Sequence, residues 1–386
     1  LGSDPEYADL EDPIQALLLA ADAFLMDGPQ GKGIVAGYPW FGEWGRDTMI
    51  ALPGLTLVTG RFEVAKCILK KYASHARRGL IPNLFVEGGE AEYNSADASL
   101  WFLQAVGRYL GYTQDYAFVK KELWPTVKGI VEAYRDGTDY NIHMDRDGLV
   151  SAGAPGVQLT WMDAKVGDQV ITPREGKAVE VNALWYSGLR LAAELAQRFG
   201  EKDEYGPMAA RAREGFQAFW NENEKCLYDV LGTKPDPAVR PNQLLALSLG
   251  PLLPREREEM VLRKVWRELF TPYGLRSLSP RDTRYRGRYE GDQSQRDMAY
   301  HQGTVWSWLM GPFITAYLRL HPEGRDAVER HILDPFLGHL REGGVGYISE
   351  IFDGDGPHQA RGCIAQAWSV GEMIRAYFED IKGARR

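Results

Sequence analysis

An all-α fold is predicted, an (α/α)6 barrel with its site on the long-loop face, and three observations carry the prediction. Apolar residues recur at helical rather than alternating spacing along most of the 386 residues. Connections between successive helical stretches alternate between a few residues and long segments. The residues with unusual chemistry fall in the long segments.

Helices are read at 13–26, 46–58, 61–78, 95–110, 115–137, 178–199, 203–223, 240–248, 254–268, 303–319, 323–339 and 361–380. Asp12 and Pro13 give the first an N-cap and a first-turn proline, and Ser95 caps the fourth. Gly60, Gly111 and Gly200 stand where helices stop. With consecutive helices antiparallel, every long segment emerges at one end, and six pairs close as an inner ring wrapped by an outer one. A superhelical stack is the alternative, and no repeat of 20–50 residues supports it. Residues 1–386 are expected to form a single domain; the start at Leu-Gly-Ser rather than Met leaves room for a further N-terminal domain.

Composition narrows the partners. A net charge of −8 argues against nucleic acid and offers no polybasic patch to a membrane. No stretch approaches the length of a membrane span. Cys67, Cys226 and Cys363 are too few and too scattered for a disulfide framework, so a reducing, cytoplasmic setting is expected. The histidines stand singly, and the acidic turns Asp145-Arg-Asp-Gly148 and Asp353-Gly-Asp-Gly356 lack the spacing of a calcium loop. Neither metal nor cofactor is expected.

The first long loop, Tyr38-Pro-Trp-Phe-Gly-Glu-Trp-Gly-Arg-Asp-Thr48, suits a sugar: flat rings cover its C–H face while Arg46 and Asp47 grip hydroxyls. An aromatic loop packing on its own core has the same composition. The third loop places Asp163 among Trp161, Met162 and Ala164, apolar neighbours that raise a carboxyl pKa. The sixth offers Glu350. Hydrolysis of a glycosidic bond needs two such groups, one protonated and one ionised. Each equally fits a helix cap or an arginine partner.

Trp40, Trp44 and Trp161 are candidates to stack on sugar, and Lys165 to contact substrate or tune Asp163. Glu180 opens a helix at the same rim, as cap or ligand. His301 either donates to a hydroxyl or caps; Gln302 follows it, and Trp306 packs the inner wall. Asp97, Cys363 and Trp368 read as structural. Arg281 to Glu290 reads as a solvated, mobile loop, near enough the rim to serve as a lid.

Gly42-Glu-Trp-Gly-Arg-Asp-Thr48, Tyr93-Asn-Ser-Ala-Asp-Ala-Ser-Leu-Trp101, Thr160-Trp-Met-Asp163, Val179-Glu-Val-Asn-Ala-Leu-Trp185, His301-Gln-Gly-Thr-Val-Trp306, Ser349-Glu350 and Gly362-Cys-Ile-Ala-Gln-Ala-Trp-Ser369 stand in order along the chain. Together they resemble the amylo-α-1,6-glucosidase part of glycogen debranching enzymes, from about residue 30 to residue 380. The resemblance implies a glucoamylase-like barrel that hydrolyses, with inversion, the single α-1,6-linked glucose left at a branch of glycogen or limit dextrin. It further implies Asp163 as general acid, Glu350 as general base, and Arg46 and Asp47 holding the departing glucose. Nothing resembles the β/α barrel of the glucanotransferase that complete debranching requires. An exo-acting glucoamylase or trehalase, a phosphorylase on the same barrel and a non-catalytic glycan-binding module are the other readings.

Overall fold

Helices that are buried on every side must be wrapped by others. In the computed structural model, which describes residues 13–28 and 31–383, all of Gly45–Leu52 and all of Ala367–Arg375 are buried. Gly45–Leu52 packs on Ala98–Thr113, that helix on Val179–Phe199, that on Leu245–Ser248, that on Met310–Leu320, that on Ala367–Arg375, and the last returns to the first. Gly54 and Gly371 allow this closing contact, because a Cβ on Gly54 would collide with the Gly371 carbonyl. Pro13–Ala23, Phe62–Ser74, Trp124–Asp136, Tyr205–Gly215 and Arg255–Leu269 lie against this set, and Arg325–Val328 lies against Ala376–Ile381, which continues its last helix. Buried apolar side chains from Leu17 to Ile381 form one continuous cluster. Among the described residues no helix is long and apolar enough to cross a membrane.

The chain is thus predominantly helical, as expected, yet element boundaries depart from the reading for local reasons. Pro53 has no N–H for Met49, so the second helix opens into a wide turn, Pro53–Leu57. Gly111 lies inside Ala98–Thr113, which ends instead at a left-handed Gln114. Ser95 accepts from the Ala98 N–H at 3.0 Å, close to the capping role expected of it. The Asp12 cap lies outside the described residues. Val305–Trp306, expected as helix, is a strand between Gly274–Arg276 and Ile351–Phe352 in a five-stranded antiparallel sheet. The last helix starts at Ala367, since Ala360–Arg361 and Ala365–Gln366 are strands too.

These short strands lace the long loops together. Glu43–Trp44 pairs with Leu84–Phe85, Gly37–Tyr38 with Ala365–Gln366, and Lys177–Ala178 with Val230–Leu231. The loop expected to be solvated and mobile is anchored: Tyr289 N–H donates to Asp353 at 2.8 Å, Arg288 to the Gly356 carbonyl at 2.8 Å and the Tyr285 hydroxyl to Asp355 at 3.0 Å. It leads into an unexpected helix, Gln293–Ala299, started by an Asp292/Gln295 capping box.

Candidate active site

Arg46 occupies the first turn of Gly45–Leu52 and is 2% exposed. Its Nε donates to both Asp97 oxygens at 2.8 and 2.9 Å, and one terminal nitrogen donates to Asp163 Oδ2 at 3.2 Å. The other reaches Ser95 Oγ at 3.4 Å, and Ser95 in turn donates to Asp97 at 2.6 Å. One guanidinium therefore ties the first three long loops together. Asp47, its neighbour, is buried and accepts from Gln366 Nε2 at 3.3 Å.

Asp163 follows the buried pair Trp161 and Met162, while its own side chain keeps 31% of its surface open. Burial among protein atoms pushes its carboxyl up; Arg46 opposes this and Asp97 adds to it. Glu350, 2% exposed, has a donor on each oxygen: the Cys363 N–H at 2.9 Å on Oε2 and the Tyr300 hydroxyl on Oε1. Burial still pushes it up to about 7, with Asp163 adding repulsion. Asp47 is also pushed up to about 7, by burial first, against the pull of Arg46 and with the charges of Asp163 and Glu350 behind it. Asp47, Asp97 and Asp163 thus share one arginine, and Glu350 adds its charge to Asp163 and Asp47 without a cation of its own. Such a cluster retains a proton near neutrality, which is the condition for one carboxyl to donate while another accepts.

Other expected site residues are used inside the protein. Trp161 is 3% exposed; its indole donates to Asn242 Oδ1 at 2.7 Å and its ring stands edge-on to His301, Trp306 and Trp308. No face of it is open to a sugar. His301 is fully buried, stacked on Trp306 with centroids 4.9 Å apart, and kept neutral by burial and by nearby Arg240. Gln302 accepts from Arg240 at 2.8 Å and donates to the Ile171 carbonyl at 3.1 Å. Glu180 gives both oxygens to Arg174, which also holds Asp229 at 2.8 Å. Trp161, Gln302 and Glu180 therefore form a foundation under the site, because pairing and packing leave them no free group for a ligand, whereas both buried ring nitrogens of His301 have no hydrogen-bond partner. Trp40 is 61% exposed, and Trp44 and Lys165 are half-buried, so these remain available. Tyr300 and the Cys363 backbone were missed as partners of Glu350. Tyr300 stands directly before His301-Gln302, and its position beside that motif was the one signal.

The raised carboxyls have a stability consequence. Asp47 binds its proton more tightly in the folded chain, about 7 against an ordinary 3.8. Its contribution is therefore full below about pH 4 and is lost as pH rises through about 7. Asp47→Asn, which keeps an oxygen for Gln366, is expected to raise stability at pH 8 by about 1–3 kcal/mol and to change it little at pH 4. Thermal unfolding at both values checks this; an equal effect at the two would contradict it.

Two carboxyls brought from separate loops onto a helical frame, one partly open and one donor-held, are of the kind that glycoside hydrolases use. The chain belongs to the amylo-alpha-1,6-glucosidase family, whose family model matches residues 19–375. It is 28% identical to the glycogen debranching enzyme of Saccharomyces cerevisiae over 95% of its length, and spans 31% of that relative. Among solved structures it resembles the GH63 mannosylglycerate hydrolase of Thermus thermophilus in complex with Tris, with a TM-score of 0.70, 15% identity and coverage of 94% of this chain and 99% of that one. An uncharacterized conserved protein of the same organism matches with a TM-score of 0.70, 17% identity and coverage of 93% and 99%. At these identities the likeness concerns the fold.

Proposed function

We propose that residues 1–386 form one (α/α)6-barrel glucosidase domain that removes single α-1,6-linked glucose from branch points of glycogen or limit dextrin with inversion. The observation that carries this reading is the contrast between the two carboxyls. Glu350 has hydrogen-bond donors on both oxygens, the surroundings that suit an ionised base. Asp163 has an open face toward the loops and lies between apolar neighbours, which suits an acid. Arg46 favours an ionised Asp163, but its charge is shared with Asp97, which it holds at shorter range.

In this reading Asp163 gives its proton to the glycosidic oxygen as the bond from C1 to that oxygen breaks. A water on the opposite face of the ring forms the new bond to C1 and loses its proton to Glu350. Arg46 and Asp47 hold hydroxyls of the departing glucose, and Trp40, Trp44 and Lys165 contact the rest of the glucan. A cytoplasmic location and a separate glucanotransferase, in a preceding N-terminal domain or another protein, complete the proposal. The name of the yeast relative supports the substrate class.

A proton NMR time course on a maltooligosaccharide carrying one α-1,6-linked glucose tests it. β-Glucose is expected as the first anomer, before mutarotation. α-Glucose first would rule out inversion, and no release of glucose would remove the substrate.

A further inference from the structure

Glu350 is buried at the junction of the fifth and sixth loops, and what surrounds it there is built to hold one orientation. On one side Gly362, with φ +66°, brings the Cys363 N–H onto Oε2, and a Cβ at Gly362 would collide with that oxygen. Facing it from the other side, Tyr300 places its hydroxyl on Oε1. The Tyr300 ring is packed by Tyr289 at 5.6 Å, His301 at 4.8 Å and Trp306 at 4.9 Å. Its carbonyl accepts the Trp306 indole N–H at 3.1 Å, so neither its backbone nor its ring is free to turn away. Tyr289 is held in turn by Asp353, a fully buried carboxylate that also accepts Arg361 at 3.0 Å.

We propose that Tyr300 is a positioning residue for Glu350, whose hydroxyl fixes the carboxylate against the ring face where water attacks and keeps it ionised. The inference rests on the reading of Glu350 as base. The charged and titratable groups around Glu350 are Asp163 and Asp47, which disfavour its ionisation, and Tyr289, Tyr300 and the Cys363 thiol, which its charge pushes up. None of these supplies a counter-charge. The donors Tyr300 and Cys363 N–H alone act in favour of the carboxylate. Tyr300 donates and does not itself give up its proton, because burial and the adjacent Glu350 charge push its phenol well up.

The test is Tyr300→Phe, which keeps the ring and removes the hydroxyl, in the full chain. Losing a hydrogen bond to a charged group is expected to raise the Glu350 pKa by about one to two units. The titration is read directly from the carboxyl signal of protein labelled with carbon-13 glutamate, with Glu350→Gln identifying the peak. The acid limb of the pH profile for glucose release is expected to move up by the same amount. Activity then falls about 10- to 100-fold at pH 6, the deficit against the parent narrows as pH rises, and KM changes little. A Glu350 titration unchanged by Tyr300→Phe would overturn the inference, whatever happened to the rate. A titration that moved while the acid limb stayed would instead remove Glu350 as the base, and the positioning role with it. Merely structural damage would lower the rate at every pH alike.

Discussion

Asp163→Asn and Glu350→Gln are each expected to lower kcat on an α-1,6-linked glucosyl substrate by about 10²- to 10⁴-fold, while the affinity for glucan stays within about tenfold. The two losses differ in kind. Asp163 supplies a proton to a poor leaving group, so its variant is expected to recover much of its rate on α-glucosyl fluoride, whose fluoride leaves with little protonation. Glu350 activates the water, which every substrate needs, so its variant is expected to stay slow on both. Equal losses on the two substrates would dissolve the division of roles. The parent enzyme's profile should be bell-shaped, falling on the acid side as Glu350 takes up a proton and on the alkaline side as Asp163 loses its own, both carboxyls being pushed up by burial. Because Asp163 acts on both Glu350 and Asp47, the two apparent values belong to the cluster rather than to single residues.

The helical frame was legible because periodicity over ten or more residues is a strong signal. Val179–Phe199 and Arg255–Leu269 fall within a residue or two of the spans read from the sequence. Strands of two residues show no alternation, and so the pairs that lace the loops went unread. Val305–Trp306 illustrates the loss: a β-branched and an aromatic residue ahead of a real helix look like its first turn, and only partners distant in sequence make them a strand. The anchored segment from Arg281 to Glu290 failed for a related reason. Its charges read as solvated because Asp353 and Asp355, which bind this loop, lie some 70 residues further on.

At the site, motifs identified which loops converge but not which side chains face the cavity. Arg46, Asp47, Asp163 and Glu350 were picked as ligands and acids, and they do cluster. Trp161, Glu180 and Gln302 belong to equally distinctive motifs, yet pairing with Asn242, Arg174 and Arg240 turns them inward. Those partners come from other loops and helices and carry no mark in a linear reading. Asp97 shows the converse: taken as a helix-start residue, it is the carboxylate that fixes the orientation of Arg46.

Arg46→Met is expected to be the most damaging single change to stability, costing about 3–5 kcal/mol. The loss is more than that of one contact. Asp97 has no exposed surface, and without the guanidinium it becomes an uncompensated buried charge whose remaining partner is the Ser95 hydroxyl at 2.6 Å. Asp47 and Asp163 lose their nearest positive charge in the same step, so both are pushed further toward the protonated form. Arg46→Lys is expected to recover only part of the stability: one ammonium cannot span both Asp97 oxygens, Asp163 and Ser95, which the planar fork reaches together. Urea unfolding of Arg46→Met, Asp97→Asn and the double variant measures the coupling. If the unpaired carboxylate is the source of the damage, adding Asp97→Asn to Arg46→Met restores stability at neutral pH. Additive losses in the double variant would mean that Arg46 stabilises the fold through packing alone.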